Sequence, residues 1–213
     1  LFRLIIFVCT QFIGTMKTYI KRIAGFLLFF FYVVMAYGQQ IISNPMPFLE
    51  QLPSNSIYTI YQDRQGFVWI GTSYHGVMRY DGYTVQGFRN DFDTPRQLAD
   101  NDITTFAEDD KYLWVGTCKG ISLIDKLTYQ IIPFPDETIQ KSDIRDIMVD
   151  KKGQIWIVTL HAIYKCNSDL AIQKVYTQFS RPNKMNEDNS GNLWILTWDD
   201  GLFRYSERND SFI

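Results

Sequence analysis

Three short stretches hold the residues best suited to chemistry. They are Ser73-Tyr74-His75, Leu160-His161 and Trp198-Asp199-Asp200. An imidazole converging with a carboxylate is the pairing a lyase would use for proton transfer. Flat aromatic faces beside carboxylates and imidazoles also suit a sugar site, the rings stacking and the polar groups bonding hydroxyls. Tyr74, His75, His161, Trp198, Asp199 and Asp200 therefore form the candidate ligand-binding set, against the alternative that each is a solvated loop residue. No nucleophile elbow, glycine-rich phosphate loop, paired-carboxylate motif or zinc spacing is present, so no catalytic residue, metal or cofactor is assigned. Asp188-Asn189-Ser190-Gly191-Asn192 has the outline of a calcium loop but lacks the acids one needs.

What positions the three stretches is a repeat. Aligned on Trp69, Trp114, Trp156 and Trp194, four copies follow one another at intervals of 45, 42 and 38 residues. A threonine stands three places after each tryptophan (Thr72, Thr117, Thr159, Thr197), and a β-branched residue one place after. Asp63, Asp150 and Asp188 stand six places before, with Gly66, Gly153 and Gly191 three before; the second copy uses Asp109 in a shorter turn without glycine. Periods of this size point to a solenoid or a propeller.

Each copy opens with a short apolar run (Ile57–Gln62, Ile103–Glu108, Ile144–Val149) that has strand composition. Asp-x-x-Gly then makes a hairpin turn, which assigns Asp63, Asp150 and Asp188 a structural role rather than a metal or catalytic one. The tryptophan lies on the second strand, and the candidate residues fall in the connection to the third. A fourth strand is readable at Tyr83–Phe88, Tyr129–Phe134 and Ile172–Phe179, and the sequence stops just where that of the last copy should begin. The fold class is all-β: a β-propeller of four-stranded antiparallel blades, about four of them, over 57–88, 103–134, 144–179 and 183–213. The tryptophans are expected to pack between blades. A closed four-bladed ring, with Ile41–Leu49 adding a strand to the last blade, is one possibility; a longer natural chain with more blades is the favoured one.

Residues 16–38 read as a secretory signal peptide: basic Lys17, Lys21 and Arg22, an apolar run of 15 residues from Ile23 to Tyr37, then the small-x-small pattern Ala36-Tyr37-Gly38. A membrane-spanning helix usually needs about 20 apolar residues, so an uncleaved anchor is the second reading. Residues 1–15 are expected to be non-native upstream sequence and 39–56 a lead-in. With the four basic residues of the leader set aside, 17 basic residues face 23 acidic ones and form no basic stripe, so nucleic-acid binding is not expected. Contact with a membrane is expected only through the leader or a helix downstream. Cys118 and Cys166 lie in different copies and are expected as two separate thiols, with pairing as the alternative.

The first copy carries a resemblance. Leu52-Pro53-Ser54-Asn55-Ser56-Ile57, Gln62-Asp63-Arg64-Gln65-Gly66-Phe67-Val68-Trp69-Ile70-Gly71-Thr72 and Gly76-Val77-Met78-Arg79-Tyr80-Asp81-Gly82-Tyr83 resemble the two-component regulator propeller repeat. Phe88-Arg89-Asn90-Asp91 with Asp100-Asn101-Asp102-Ile103 is similar to the linker joining the first two blades of that family. Copies three and four depart from the pattern: Val158 and Leu196 replace a glycine, and Pro182 an apolar strand start. The resemblance implies the periplasmic sensor half of a hybrid two-component system of gut Bacteroidetes. Its parent would be a dimeric histidine kinase that detects an oligosaccharide and controls glycan-utilisation genes. The phosphoacceptor histidine would lie outside this segment, since His75 and His161 are inside blades. A secreted lyase or glycan-active enzyme, and a non-catalytic interaction scaffold, are the alternatives.

Overall fold

A computed structural model describes Met16 and residues 21–32, 52–91 and 97–213. The chain divides into two units, Leu1–Met46 and Pro47–Ile213. In the first, Met16 and residues 21–32 are helical and exposed. No helix among the described residues is long and apolar enough to cross a membrane. The rest of the expected leader, and the strand expected at Ile41–Leu49, lie outside the described residues.

The second unit is all-β. Blade one is β1 (Ile57–Gln62), β2 (Val68–Thr72), β3 (Val77–Tyr80) and β4 (Val85–Phe88). Blade two is β5 (Ile103–Glu108), β6 (Tyr112–Thr117), β7 (Gly120–Asp125) and β8 (Ile131–Pro133). Blade three is β9 (Ile144–Val149), β10 (Ile155–Thr159), β11 (Ile163–Cys166) and β12 (Ile172–Tyr176). Blade four is β13 (Pro182–Glu187), β14 (Leu193–Thr197), β15 (Leu202–Ser206) and β16 (Ser211–Phe212). Each is an antiparallel sheet in chain order. The fourth strand of the last blade, placed by the sequence at the very end of the chain, is already formed at Ser211–Phe212 against β15. Among the described residues a 3-10 turn, Ile139–Lys141, interrupts the strands.

The repeated residues hold each blade together. The aspartate of every turn accepts backbone N–H groups two places on and, in the longer turns, four. Its second oxygen accepts the tryptophan indole N–H, at 2.7 Å for Asp63–Trp69 and Asp109–Trp114 and 3.0 Å for Asp150–Trp156 and Asp188–Trp194. The threonine hydroxyl donates to the carbonyl that closes the next hairpin: Gly76, Gly120, Ala162 and Gly201. The tryptophan ring meets an aromatic of the outer part of the blade, Phe88, Phe134 or Tyr176, with centroids 5.7, 5.8 and 6.1 Å away.

Packing between blades runs in one direction. Trp69 shares a core with Ile103, Leu113 and Val115 of blade two. Trp114 shares one with Ile147, Ile155 and Ile157 of blade three, and Trp156 one with Met185, Leu193 and Ile195 of blade four. All three rings are no more than 1% exposed. Trp194 is half-buried, with no further blade over it among the described residues. No core cluster of described residues joins blade four to blade one, so the blades form an open row rather than the closed four-bladed ring. The first strands stand side by side, β1 against β5, β5 against β9 and β9 against β13, which puts them on the propeller axis.

Candidate functional site at the axial rim

One rim of the row gathers the starts of the first strands and the connections between second and third strands. The two are tied by a repeated bond. The amides of Ser73, Cys118, Leu160 and Trp198 donate to the carbonyls of Ser56, Asp102, Asp143 and Arg181 at 3.0–3.1 Å. Adjacent blades are tied here as well: the Tyr74 amide donates to Asp102 Oδ1 at 3.0 Å, and the Gly120 amide to the Ser142 carbonyl at 2.8 Å.

A second repeated feature of this rim is a register shift in the first strand. It falls between Ile57 and Thr59, Ile103 and Thr105, Ile144 and Asp146, and Pro182 and Lys184. The displaced residues are Tyr58, Thr104, Arg145 and Asn183, one per blade. Such bulges re-aim a side chain and favour functional sites. Their flanks repeat (Ile, Ile, Ile, Pro), yet the four residues share neither size nor charge.

Two of them leave polar atoms without partners. Arg145 Nη2 pairs with Asp143 Oδ2 at 2.8 Å, the two side chains being 33% and 30% exposed. Arg145 Nε, Asp143 Oδ1 and Thr104 Oγ1 are buried and make no hydrogen bond among the described residues. Burial raises the Asp143 carboxyl, against the pull of Arg145 and His161. Beside them, burial and then Asp143, Asp102 and Asp100 push up the Cys118 thiol. Lys119 pairs with Asp100 at 2.9 Å. A salt-bridged Asp–Arg pair with a donor and an acceptor still to satisfy is suited to a hydroxyl, which can do both.

The residues singled out from sequence all lie on this rim, though no hydrogen bond, ion pair or ring contact joins those of one blade to those of another among the described residues. Tyr74 is 74% exposed, with a left-handed backbone (φ 70°). His75 Nδ1 lies 3.2 Å from the Ser73 carbonyl of its own loop. His161 is exposed, near Asp143. Trp198 is 66% exposed. Asp199 binds Arg181 through both oxygens, at 2.6 and 2.7 Å, and Asp200 accepts the Ser180 amide at 2.5 Å. Asp199 and Asp200 therefore already hold their own blade's entry strand. The bulged residues, and Asp143, were missed. The signal for them was a varied residue at a fixed place in the repeat. Cys118 and Cys166 are free thiols, the latter buried and pushed up to about 12. Among the described residues no cluster could hold a metal ion.

Residues 51–74 match the family model described as "Two component regulator propeller". No curated protein matches the chain. Among solved structures, the extracellular domain of a putative hybrid two component system from B. thetaiotaomicron is similar at 25% identity over 76% of this chain and 23% of its own, with a TM-score of 0.65. A second such domain from the same organism is similar at 24% identity over 75% and 25%, with a TM-score of 0.62. Virginiamycin B lyase from Staphylococcus aureus shares the fold, at 18% identity over 76% and 56% with a TM-score of 0.59. The chain thus spans about a quarter of the length of the two-component domains it matches.

Proposed function

We propose that these blades, which are similar to two component regulator propellers, form the ligand-sensing part of a periplasmic sensor, and that the ligand is an oligosaccharide held at the axial rim. The parent is a hybrid two-component histidine kinase, and the response is control of glycan-utilisation genes. The observation that carries the reading is the rim itself. Four varied residues stand at the register shifts of the first strands there, and the Asp143–Arg145 pair keeps a donor and an acceptor in reserve. Tyr58, 67% exposed on the bulge of blade one, supplies an aromatic face for stacking, as do Tyr74 and Trp198. Hydroxyls need donors and acceptors together, and the pair offers both without net charge. Likeness to an extracellular domain of a hybrid two component system supports the exported, sensory setting.

The test is a thermal-shift screen of neutral and acidic oligosaccharides, followed by calorimetry on the best ligand. Arg145→Ala is expected to weaken binding by about tenfold or more, the usual loss for a hydrogen bond involving a charged group. A screen in which no glycan class raises the melting temperature would overturn the reading.

A further inference from the structure

The opposite rim carries the turns between first and second strands, and there a clamp recurs between blades. Glu108 ends β5, and its Oε1 accepts the amide of Arg64, the residue after the turn aspartate of blade one, at 2.9 Å. Glu187 ends β13, and its Oε2 accepts the amide of Lys151, the corresponding residue of blade three, at 2.8 Å. The clamp runs each time from a first strand back to the turn of the preceding blade. Between blades two and three it is broken. β9 ends in Val149, which has no acceptor, and the Asp110 amide in the turn of blade two donates to nothing among the described residues.

A cleft of about 900 Å3 opens at that junction, within the size range of small-molecule sites. Its apolar lining is Val149, Ile155, Leu170 and Tyr112. Lys111, whose ammonium lies 4.7 Å from the Tyr112 ring centroid, stands at its edge. Of the aspartates lining the cleft, Asp109 and Asp150 hold indole N–H groups and Asp110 pairs with Arg64 at 2.8 Å, while Asp169 lies in the turn between the third and fourth strands of blade three.

We propose that this cleft between blades two and three binds a small organic carboxylate, whose oxygens take the place of the clamp's glutamate. One oxygen accepts the Asp110 amide and the other faces the Lys111 ammonium, while the body of the molecule covers Val149 and Leu170. The site is independent of the saccharide reading, since it uses other residues on the other rim. Binding closes the junction that the sequence leaves unclamped, and so stiffens blade two against blade three.

Benzoate and glucuronate are the probes, with glucose as the neutral counterpart and chloride to match ionic strength. Amide NMR of the intact chain is expected to show the Asp110 resonance moving with either carboxylate and not with glucose or chloride. Val149→Glu restores the clamp from within; it is expected to raise the melting temperature and weaken carboxylate binding by about tenfold or more. Val149→Gln, which supplies an acceptor without the charge, should act in the same direction and covers the case in which the glutamate variant fails to fold. The proposal is overturned if neither carboxylate moves the Asp110 amide, or if both bind Val149→Gln as well as the parent.

Discussion

At the scale of single residues, the turn aspartate carries two tasks that the sequence shows as one. Asp-x-x-Gly reads directly as a hairpin, and the hairpin is there. The bond to the indole was not readable, because six residues separate Asp63 from Trp69 and only the pairing of β1 with β2 brings them together. It explains why aspartate and tryptophan recur as a pair. Asp63→Ala removes the acceptor of two turn amides and leaves a buried indole N–H unpaired. The expected loss is about 2 kcal/mol, within the usual range for a buried donor left unsatisfied. Asp188→Ala makes the same cut at Trp194, which is half-buried, so water can replace the lost acceptor and the loss should be smaller. Urea unfolding of the two variants compares them; equal midpoints would show that the bond matters only as a turn former. The candidate site was legible to a different degree. The connections between second and third strands were found because they vary where the rest repeats. Arg145 and Thr104 vary too, but inside strands, where a varied residue reads as ordinary surface until the register shift at its position is seen.

At the scale of elements, the spacing between blades is set by small residues on the second strand. A Cβ on Gly71 would come within 2.6 Å of both Ile103 Cγ2 on the next blade and Thr59 Cγ2 on its own, and one on Gly116 would come within 2.9 Å of Ile144 Cγ2. Neither glycine has positive φ, so close approach is the requirement, not backbone freedom. The isoleucine of one blade is thus seated over the glycine of the blade before. Blade three breaks the rule with Val158, and the strand that follows begins with Pro182 in place of isoleucine. Blade four has Leu196 there, 47% exposed with no described blade over it. The two departures noted in the sequence are therefore one change made on both sides of an interface and one made where the facing side is open. Gly71→Ala should lower stability by about 1–3 kcal/mol through overpacking, read as a lower denaturation midpoint with an unchanged slope. An unchanged midpoint would mean that the blades can slide apart at no cost. Strand order and the position of each strand were legible, because hydrophobic runs, turns and tryptophans mark them locally, but the fourth strands are shorter than they read, as Ile131–Pro133 is within Tyr129–Phe134. The direction of packing was not, since it depends on which face of each sheet meets the next.

At the scale of the whole second unit, the four described blades present two unlike outer faces. Blade one presents Tyr58 and Ile60, 67% and 63% exposed, along β1. Blade four presents Leu196, Leu202 and the half-buried Trp194. The interior interfaces show what these surfaces are built to do: the tryptophan face of one blade covers the first and second strands of the next. The tryptophan face of blade four therefore matches the first-strand face of blade one on another copy. A contact of this kind is heterologous, so it propagates rather than closing after two copies. Contiguous exposed apolar residues favour association. Sedimentation of the chain should accordingly show concentration-dependent species larger than a dimer. Leu202→Lys on one end and Ile60→Lys on the other should each suppress them, because either change removes one half of every contact. A mixture of the two single variants supplies one intact end from each and should recover dimers but nothing longer. If the parent chain stays monomeric at high concentration, or if the mixture behaves as each variant does alone, the two ends do not recognise one another.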